Sequence, residues 1–322
     1  MTQREERGGG CLVAIAVLLG LALVVAGAGT LWLVLSSQPE PPAQEQGAAS
    51  EPRAFADYSW EELSVISSEI AAAQSPEEAA SIAASHGIHV GDTRAVTLED
   101  GTEALVRVIG LAHDARADGS GRAGITLLTS PLALRQMSGD AANEGGWEAS
   151  DLRAWLASDG LALLPDELAA EVVSVSKDAA SRPVRYGSAD LSGAVTQTRD
   201  ALWVPSLSEV CGDVTLMTDE YGTEPSANTE YVDFVPYDEL LSSEGEQYEF
   251  FREQGVSGTS DADPALQMSL GGSPCAWWLR TSYPFTYGGS SERYCYQVMT
   301  SGLPSGLAAA TSEAGVVVGL CL

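Results

Sequence analysis

Lysine is almost absent from this chain. Lys177 is the only one in 322 residues, and histidine occurs three times. Sixteen basic residues face 45 acidic ones, for a net charge of −29. Phosphate binding needs clustered Lys and Arg, so the composition argues against a nucleic-acid partner. It also argues against docking flat on anionic lipid, and suits a self-repelling surface domain. The chain lacks G-x-x-x-x-G-K, H-E-x-x-H and G-x-S-x-G, which removes the common phosphate, zinc-protease and hydrolase readings. Without a C-x-x-C it supports neither a zinc ribbon nor a thioredoxin-type redox motif. Residues 119–124 match G-x-G-x-x-G but precede the strand-like ITLLTS. A dinucleotide site needs a helix there, so this run reads as a hairpin connection. His86 and His89 straddle Gly87 and share no helical face. His113 and Asp114 are neighbours on a strand and point to opposite faces. No nucleophile–base set can be assembled.

One long hydrophobic run is present. Residues 11–35 (CLVAIAVLLGLALVVAGAGTLWLVL) carry no charge, Pro or amide side chain. Such a segment crosses a hydrocarbon core of about 30 Å as one helix that satisfies its own backbone. The reading is a short tail (1–10), a transmembrane helix (11–35) and a protein working against the lipid bilayer. Arg4 and Arg7 precede the span, and the next basic residue is Arg53. The N-terminus is therefore expected in the cytoplasm and the C-terminal domain outside the cell membrane, with Trp32 at the outer interface. A cleaved signal ending near Ala26-Gly27-Ala28 is the rival reading. The apolar run is longer than a signal core and resumes at Leu31. Cys11 is a small apolar residue at the edge of the span, or an acylation site.

Residues 36–55 are rich in Pro, Gln, Glu, Ser and Ala and read as a disordered linker. Residues 56–87 hold two helices, each opened by a serine cap: Ser59 with Glu62, then Ser75 with Pro76 and Glu78. They either pack on the main domain or serve as a spacer. Residues 88–322 form the ectodomain. Strands are expected at 93–98, 103–112, 124–130, 172–176, 202–204, 277–281, 294–300 and 316–322, with helices over 150–158 and 161–170. Residues 211–274 read as one long irregular stretch. Such loops are usually functional or disordered. The pattern is that of an α+β domain. Cys211, Cys275, Cys295 and Cys321 are disulfide candidates in an oxidising exterior, with three connectivities open. Cys295–Cys321 is the favoured pair, and free buried thiols are the alternative.

Three motifs carry a resemblance. They are Trp147-Glu-Ala-Ser150-Asp-Leu152-Arg153-Ala-Trp155-Leu156, Asp200-Ala-Leu202-Trp203-Val204-Pro205-Ser206-Leu207-Ser208-Glu209, and Trp277-Trp278-Leu279-Arg280-Thr281. Together with Val90-Gly91-Asp92 they resemble an uncharacterised family of bacterial extracellular domains known only as a domain of unknown function. Ala157 stands where that family usually has Asn. Ser282-Tyr283-Pro284 replaces its Pro-Gly, and residues 316–320 replace its closing V-R-P-A strand. The resemblance implies kinship with the C-type-lectin-like fold and with formylglycine-generating-enzyme-like domains, in which variable loops sit on a mixed core. From the residues alone, Leu152, Trp155 and Leu156 form one helical stripe. Arg153 lies off that stripe, within reach of a carboxylate such as Asp200 or Glu209.

The expected function is a membrane-anchored, non-catalytic binding module for a glycan, cell-wall polymer or protein. Tyr221, Tyr231, Tyr237, Tyr283 and Tyr287 lie in the loops that would present it. The alternatives are a formylglycine-generating-like oxidase using Cys275 and Cys295, or a structural part of a cell-envelope complex. No cofactor is expected. Asp219, Glu220, Asp261 and Asp263 offer oxygens to calcium but complete no loop pattern.

Overall fold

The computed structural model describes residues 53–181, 184–185, 190–223, 234–286 and 292–322. The expected tail, membrane helix and most of the linker lie outside the described residues, as do Tyr231 and Tyr287. Among the described residues no helix is long and apolar enough to cross a membrane.

Helix α1 (Trp60–Ala71) starts where Ser59 Oγ accepts from Glu62 N at 3.1 Å and Glu62 Oε2 accepts from Ser59 N at 2.8 Å. This reciprocal cap satisfies two donors that the first turn would leave unpaired. Helix α2 (Pro76–Ser85) begins at Ser75, whose Oγ accepts from Glu78 N at 3.2 Å. The Glu78 carboxylate returns to Gln74 N at 2.7 Å rather than to Ser75, and Pro76 at the first position costs no hydrogen bond. Of the two roles left open for this pair, packing on the main domain is the one observed. Trp60, Leu63, Ile66 and Ile70 join one hydrophobic core with Val108, Leu127 and Trp147. Ser67 Oγ donates to the carbonyl of Leu322 at 2.5 Å and accepts from Ile125 N at 3.1 Å. The helix is thereby tied to the last residue of the chain.

The domain then runs β1 (Thr93–Thr97), β2 (Glu103–Leu111), β3 (Ile125–Thr129), β4 (Leu134–Gln136), α3 (Asp151–Trp155), α4 (Asp166–Ala169), β5 (Val175–Ala179), β6 (Val184–Arg185), β7 (Thr196–Asp200) and β8 (Leu202–Trp203). Short helices follow: α5 (Leu207–Cys211), α6 (Leu216–Tyr221), α7 (Val235–Ser242) and α8 (Glu249–Glu253). The last strands are β9 (Met268–Leu270), β10 (Ser273–Cys275), β11 (Trp277–Ser282), β12 (Phe285–Thr286), β13 (Tyr294–Val298), β14 (Gly306–Ala309), β15 (Glu313–Gly315) and β16 (Gly319–Cys321). The fold is α+β. One sheet has the order β1-β2-β3-β16-β8 and another β14-β13-β11-β15-β4, with β5 and β7 paired as a separate ribbon.

The last strand is not an edge. β16 lies between β3 and β8, so the C-terminus closes the first sheet. β3 is buried at all five positions, with Leu127 facing one core and Leu128 the other. Cover on both faces explains why ITLLT reads as a continuous apolar run rather than an alternation. The second core is formed by α5 to α8 with Trp277, Leu279 and Tyr296. The expectation of an irregular loop over 211–274 is thus corrected for its described part, which holds a helical cap with its own interior up to Glu253 and the β9–β10 pair beyond it. Its helices are too short to show a 3.6-residue period. Asp238 holds α6 to α7 by accepting from Met217 N at 2.8 Å and Thr218 N at 2.9 Å.

A Cβ on Gly124 would lie 1.8 Å from the carbonyl oxygen of Ser67, because the backbone of α1 rests directly on the start of β3. Gly124→Ala should therefore push α1 off the sheet. We expect a loss of about 2–3 kcal/mol in urea unfolding, as overpacking against an immobile backbone costs. We also expect faster proteolytic release of residues before β1. An unchanged unfolding midpoint would contradict this docking.

Candidate functional site

The first motif is assembled around Asp200. Ser150 caps α3 by accepting from Arg153 N at 3.1 Å. Trp147 Nε1 donates to Asp200 Oδ2 at 3.1 Å, and Arg153 Nε donates to Oδ1 at 2.6 Å. Thr198 Oγ1 adds a third bond at 2.6 Å. Trp155 is half-buried, and the Arg135 guanidinium lies 4.7 Å from the centre of its ring. Trp277 Nε1 donates to Leu266 O at 2.9 Å and Trp278 Nε1 to Arg135 O at 2.7 Å, so both indoles of the third motif are fixed in the interior.

The second and third motifs meet at Glu209. Ser206 and Glu209 form a reciprocal cap on α5. Arg280 Nη1 donates to Glu209 Oε2 at 2.5 Å and Nη2 to Oε1 at 2.9 Å, a two-pronged pair. The remaining Arg280 donors reach the carbonyls of Asp178, Val204 and Glu244 at 2.9, 3.2 and 2.6 Å. All five guanidinium donors are used, which is what full burial of an arginine requires.

Lys177 extends the cluster. Val175, Lys177 and Ala179 are the inward positions of β5, so the lysine projects into the interior between two apolar neighbours. Its Nζ contacts Asp114 Oδ1, donates to Glu209 Oε1 at 2.9 Å and to Tyr248 Oη at 2.8 Å, and lies 4.3 Å from the ring of Trp203. Asp114 Oδ2 accepts from Thr126 Oγ1 at 2.7 Å. Two carboxylates and two cations cancel in a buried cluster. Burial pushes the Glu209 carboxyl up, but Arg280 and Lys177 together outweigh it and hold its pKa at about 2. Burial lowers the Lys177 pKa, while Asp114 and Glu209 raise it further, so its net shift is upward.

Glu244 is the fifth charged side chain. Its carboxylate accepts from Ala180 N at 2.7 Å and from Thr281 Oγ1, without a cation of its own. Burial raises its pKa to about 7.

The backbone changes course where this network meets the surface. The β2–β3 register slips between Val108 and Gly110, and Ala112 sits in the left-handed region at φ 47°. A Cβ on Gly110 would come within 3.3 Å of Tyr248 Cδ1. The kink sends Asp114 inward and lays the His113 ring on Tyr248, with centroids 4.4 Å apart. Strain of this kind persists only where the surroundings impose it. His113, Arg122, Gln247, Glu249 and Arg252 line an open recess of about 520 Å³. A second recess of about 580 Å³ runs from Cys211 to Gly258 and shares Glu246 and Gln247.

The other expected site residues fall elsewhere. Tyr237 and Tyr283 are 2% and 3% exposed and fill the second core, so they are not presented to a ligand. Tyr221 is half-buried, with its ring 4.8 Å from that of Phe234 and its hydroxyl 3.0 Å from that of Tyr283. The disulfide expectation is corrected: Cys211, Cys275, Cys295 and Cys321 are all free and buried. Cys295 lies in the second sheet and Cys321 in the first. Burial pushes the Cys211 thiol to about 12 and the Cys295 thiol to about 11. Residues 119–124 form the expected hairpin, bridged between Ala115 and Arg122. His86 pairs with Glu69 at 2.8 Å, while His89 faces Asp92, so the two do not converge. Asp263 caps a short turn through Ala265 N at 2.8 Å and Asp219 bonds Thr215 at 2.9 Å. Among the described residues no three metal-ligating side chains are gathered.

The arrangement defines an α+β domain whose recurrent motif residues are committed to buried ion pairs. Residues 123–322, more than half of the chain, match the family described as a domain of unknown function (DUF6273), and the chain belongs to that family. All three motifs lie within the match, whereas Asp114 and the helical pair precede it. No curated protein matches the chain significantly, and no solved structure does so either.

Asp114, Lys177, Glu244 and Tyr248 were not among the expected site residues. The one signal for them is the V-x-K-x-A alternation of 175–179, which places a lone lysine at an inward position.

Glu244 generates a pH dependence. A glutamate unfolded titrates near 4.5, and this one folded near 7. The folded state keeps a proton that the unfolded chain releases, so stability falls as pH rises through this window. Glu209 acts in the opposite sense, and its contribution is lost as pH falls from about 4.5 towards 2. Urea midpoints should therefore decline from about pH 4.5 to about pH 7, and Glu244→Gln should flatten that decline. A wild-type midpoint that rises across the same window would refute the assignment.

Proposed function

We propose that this protein is a non-catalytic recognition module, held at the cell surface by residues 11–35 and presenting a lectin-like domain to a glycan, cell-wall polymer or protein. One observation carries the reading. The charged motif residues satisfy one another inside the domain, while the open polar recesses are bordered by the segment from Cys211 to Gly258. A rigid scaffold under a variable polar rim is the usual construction of a binding surface. Burial raises the pKa of the Cys275 and Cys295 thiols, which argues against the oxidase alternative, since that needs a reactive thiolate.

The test uses the full-length chain in lipid nanodiscs, screened against immobilised glycans and cell-wall fragments. We expect saturable binding that weakens about tenfold or more, or about 1.4 kcal/mol, in an Arg252→Ala/Gln247→Ala variant. Met299→Ser, at an exposed residue lining neither recess, should leave binding unchanged. Binding insensitive to both variants would move the site elsewhere. No binding at all would favour a structural role in the envelope.

A further inference from the structure

The chain's single lysine is enclosed at 3% exposure, and each of its surroundings matches a part of one reaction. Its Nζ touches a carboxyl oxygen of Asp114. Glu209 Oε1, 2.9 Å from the same nitrogen, is a carboxylate that Arg280 keeps ionised. The other carboxyl oxygen of Asp114 accepts from Thr126 Oγ1 at 2.7 Å, and Tyr248 Oη stands 3.2 and 3.3 Å from the two oxygens. Trp203 covers the amine. An amine held against a carboxyl group, a base on the amine and hydroxyl donors on the carboxyl oxygen are the elements of amide formation.

We propose that Lys177 and Asp114 condense into an intramolecular isopeptide bond, with Glu209 as the base, joining the turn after β2 to β5. A proton first passes from Nζ to Asp114 Oδ1 through their contact, leaving a neutral amine and a neutral acid. Burial disfavours both charges, but Asp114 and Glu209 hold the Lys177 proton, and Lys177 holds the Asp114 carboxyl below its usual range. The neutral pair is therefore a minor form from which the reaction starts. The nitrogen lone pair attacks Cγ, and the C=O π electrons move onto Oδ2, where the Thr126 and Tyr248 hydroxyls stabilise the charge. Glu209 Oε1 takes the excess proton from nitrogen and delivers it to the Oδ1 hydroxyl. The Cγ–Oδ1 bond breaks, the Oδ2 electrons re-form the carbonyl, and one water leaves. An ammonium and a carboxylate have become an amide and water. No oxidant, reductant or activating group is consumed.

Charge balance supports the step. Four charges cancel before it, and Glu209 with Arg280 still cancel afterwards, so one buried ion pair is removed without stranding a charge. The link would span 63 residues of sequence.

Tryptic digestion and mass spectrometry of the full-length chain test this directly. An unmodified chain is cut after Lys177. The linked chain is not, and yields peptide 108–116 joined to 154–185 and lighter than their sum by one water. We expect that branched peptide from the wild-type chain, and its loss in Glu209→Gln. Thr126→Val should slow its accumulation at least several-fold in freshly refolded protein. Free 108–116 and a peptide ending at Lys177, with no branched species in folded wild-type protein, would overturn the proposal whatever the variants do.

Discussion

The Glu209 carboxylate is the point on which the interior depends. Its two oxygens take the Ser206 amide, both arms of Arg280 and the Lys177 ammonium. Through them the start of α5, the middle of β11 and the middle of β5 share one position. Asp114 attaches the turn after β2, and the Glu244 carbonyl attaches the segment between α7 and α8. Trp203 belongs to one hydrophobic core and Tyr248 to the other, and both face Lys177. The pair of cores is therefore registered by ionic contacts as well as by apolar packing. Such a cluster adds little stability over an apolar core of the same shape. Removing one member, however, leaves an uncompensated buried charge that costs about 3–5 kcal/mol. Its value is in specifying one arrangement of elements.

What was legible in the sequence follows the strength of local signals. The caps at Ser59, Ser75 and Ser150 and the strands at 93–97, 103–111 and 125–129 were readable because capping chemistry and period-2 or continuous apolar runs act over a few residues. Arg153 lies off the apolar stripe of its helix, within reach of a carboxylate such as Asp200 or Glu209, and of these two it bonds Asp200. The residue pattern ends strand β5 at Ser176, whereas it runs on through Lys177 to Ala179. Only long-range contact with Asp114 and Glu209 makes the lysine acceptable in a core. The ribbon partner β7 (TQTRD) alternates polar with polar, and carries no hydrophobic signal at all. The helices of 211–253 were missed for a related reason: each is short and stabilised by tertiary packing rather than by its own propensity.

The tyrosines illustrate a different limit. Composition cannot separate a tyrosine that faces a ligand from one that fills a core with its hydroxyl satisfied. Tyr283 and Tyr248 are of the second kind, and Tyr237 is likewise buried in the core. The cysteines are similar: even number and strand-like surroundings suit a disulfide, but Cys295 and Cys321 occupy separate sheets. What ties distant parts of this domain together is charge, not sulfur.

The basic residues carry the last step. The guanidinium groups of Arg94, Arg107 and Arg135 lie over the rings of Trp60, Phe250 and Trp155, and Arg153, Lys177 and Arg280 are consumed in ion pairs. In a chain of net charge −29, cations still exposed are scarce. Arg122 and Arg252 are two of them, and both open onto the recess floored by His113. Glu246 and Glu249 line the same recess, which therefore brings charges of both signs together in a chain that is acidic overall. The kink at Ala112 places that recess directly above Tyr248 and the buried charges. The network thereby fixes the floor of the recess, while its own atoms remain out of reach of solvent.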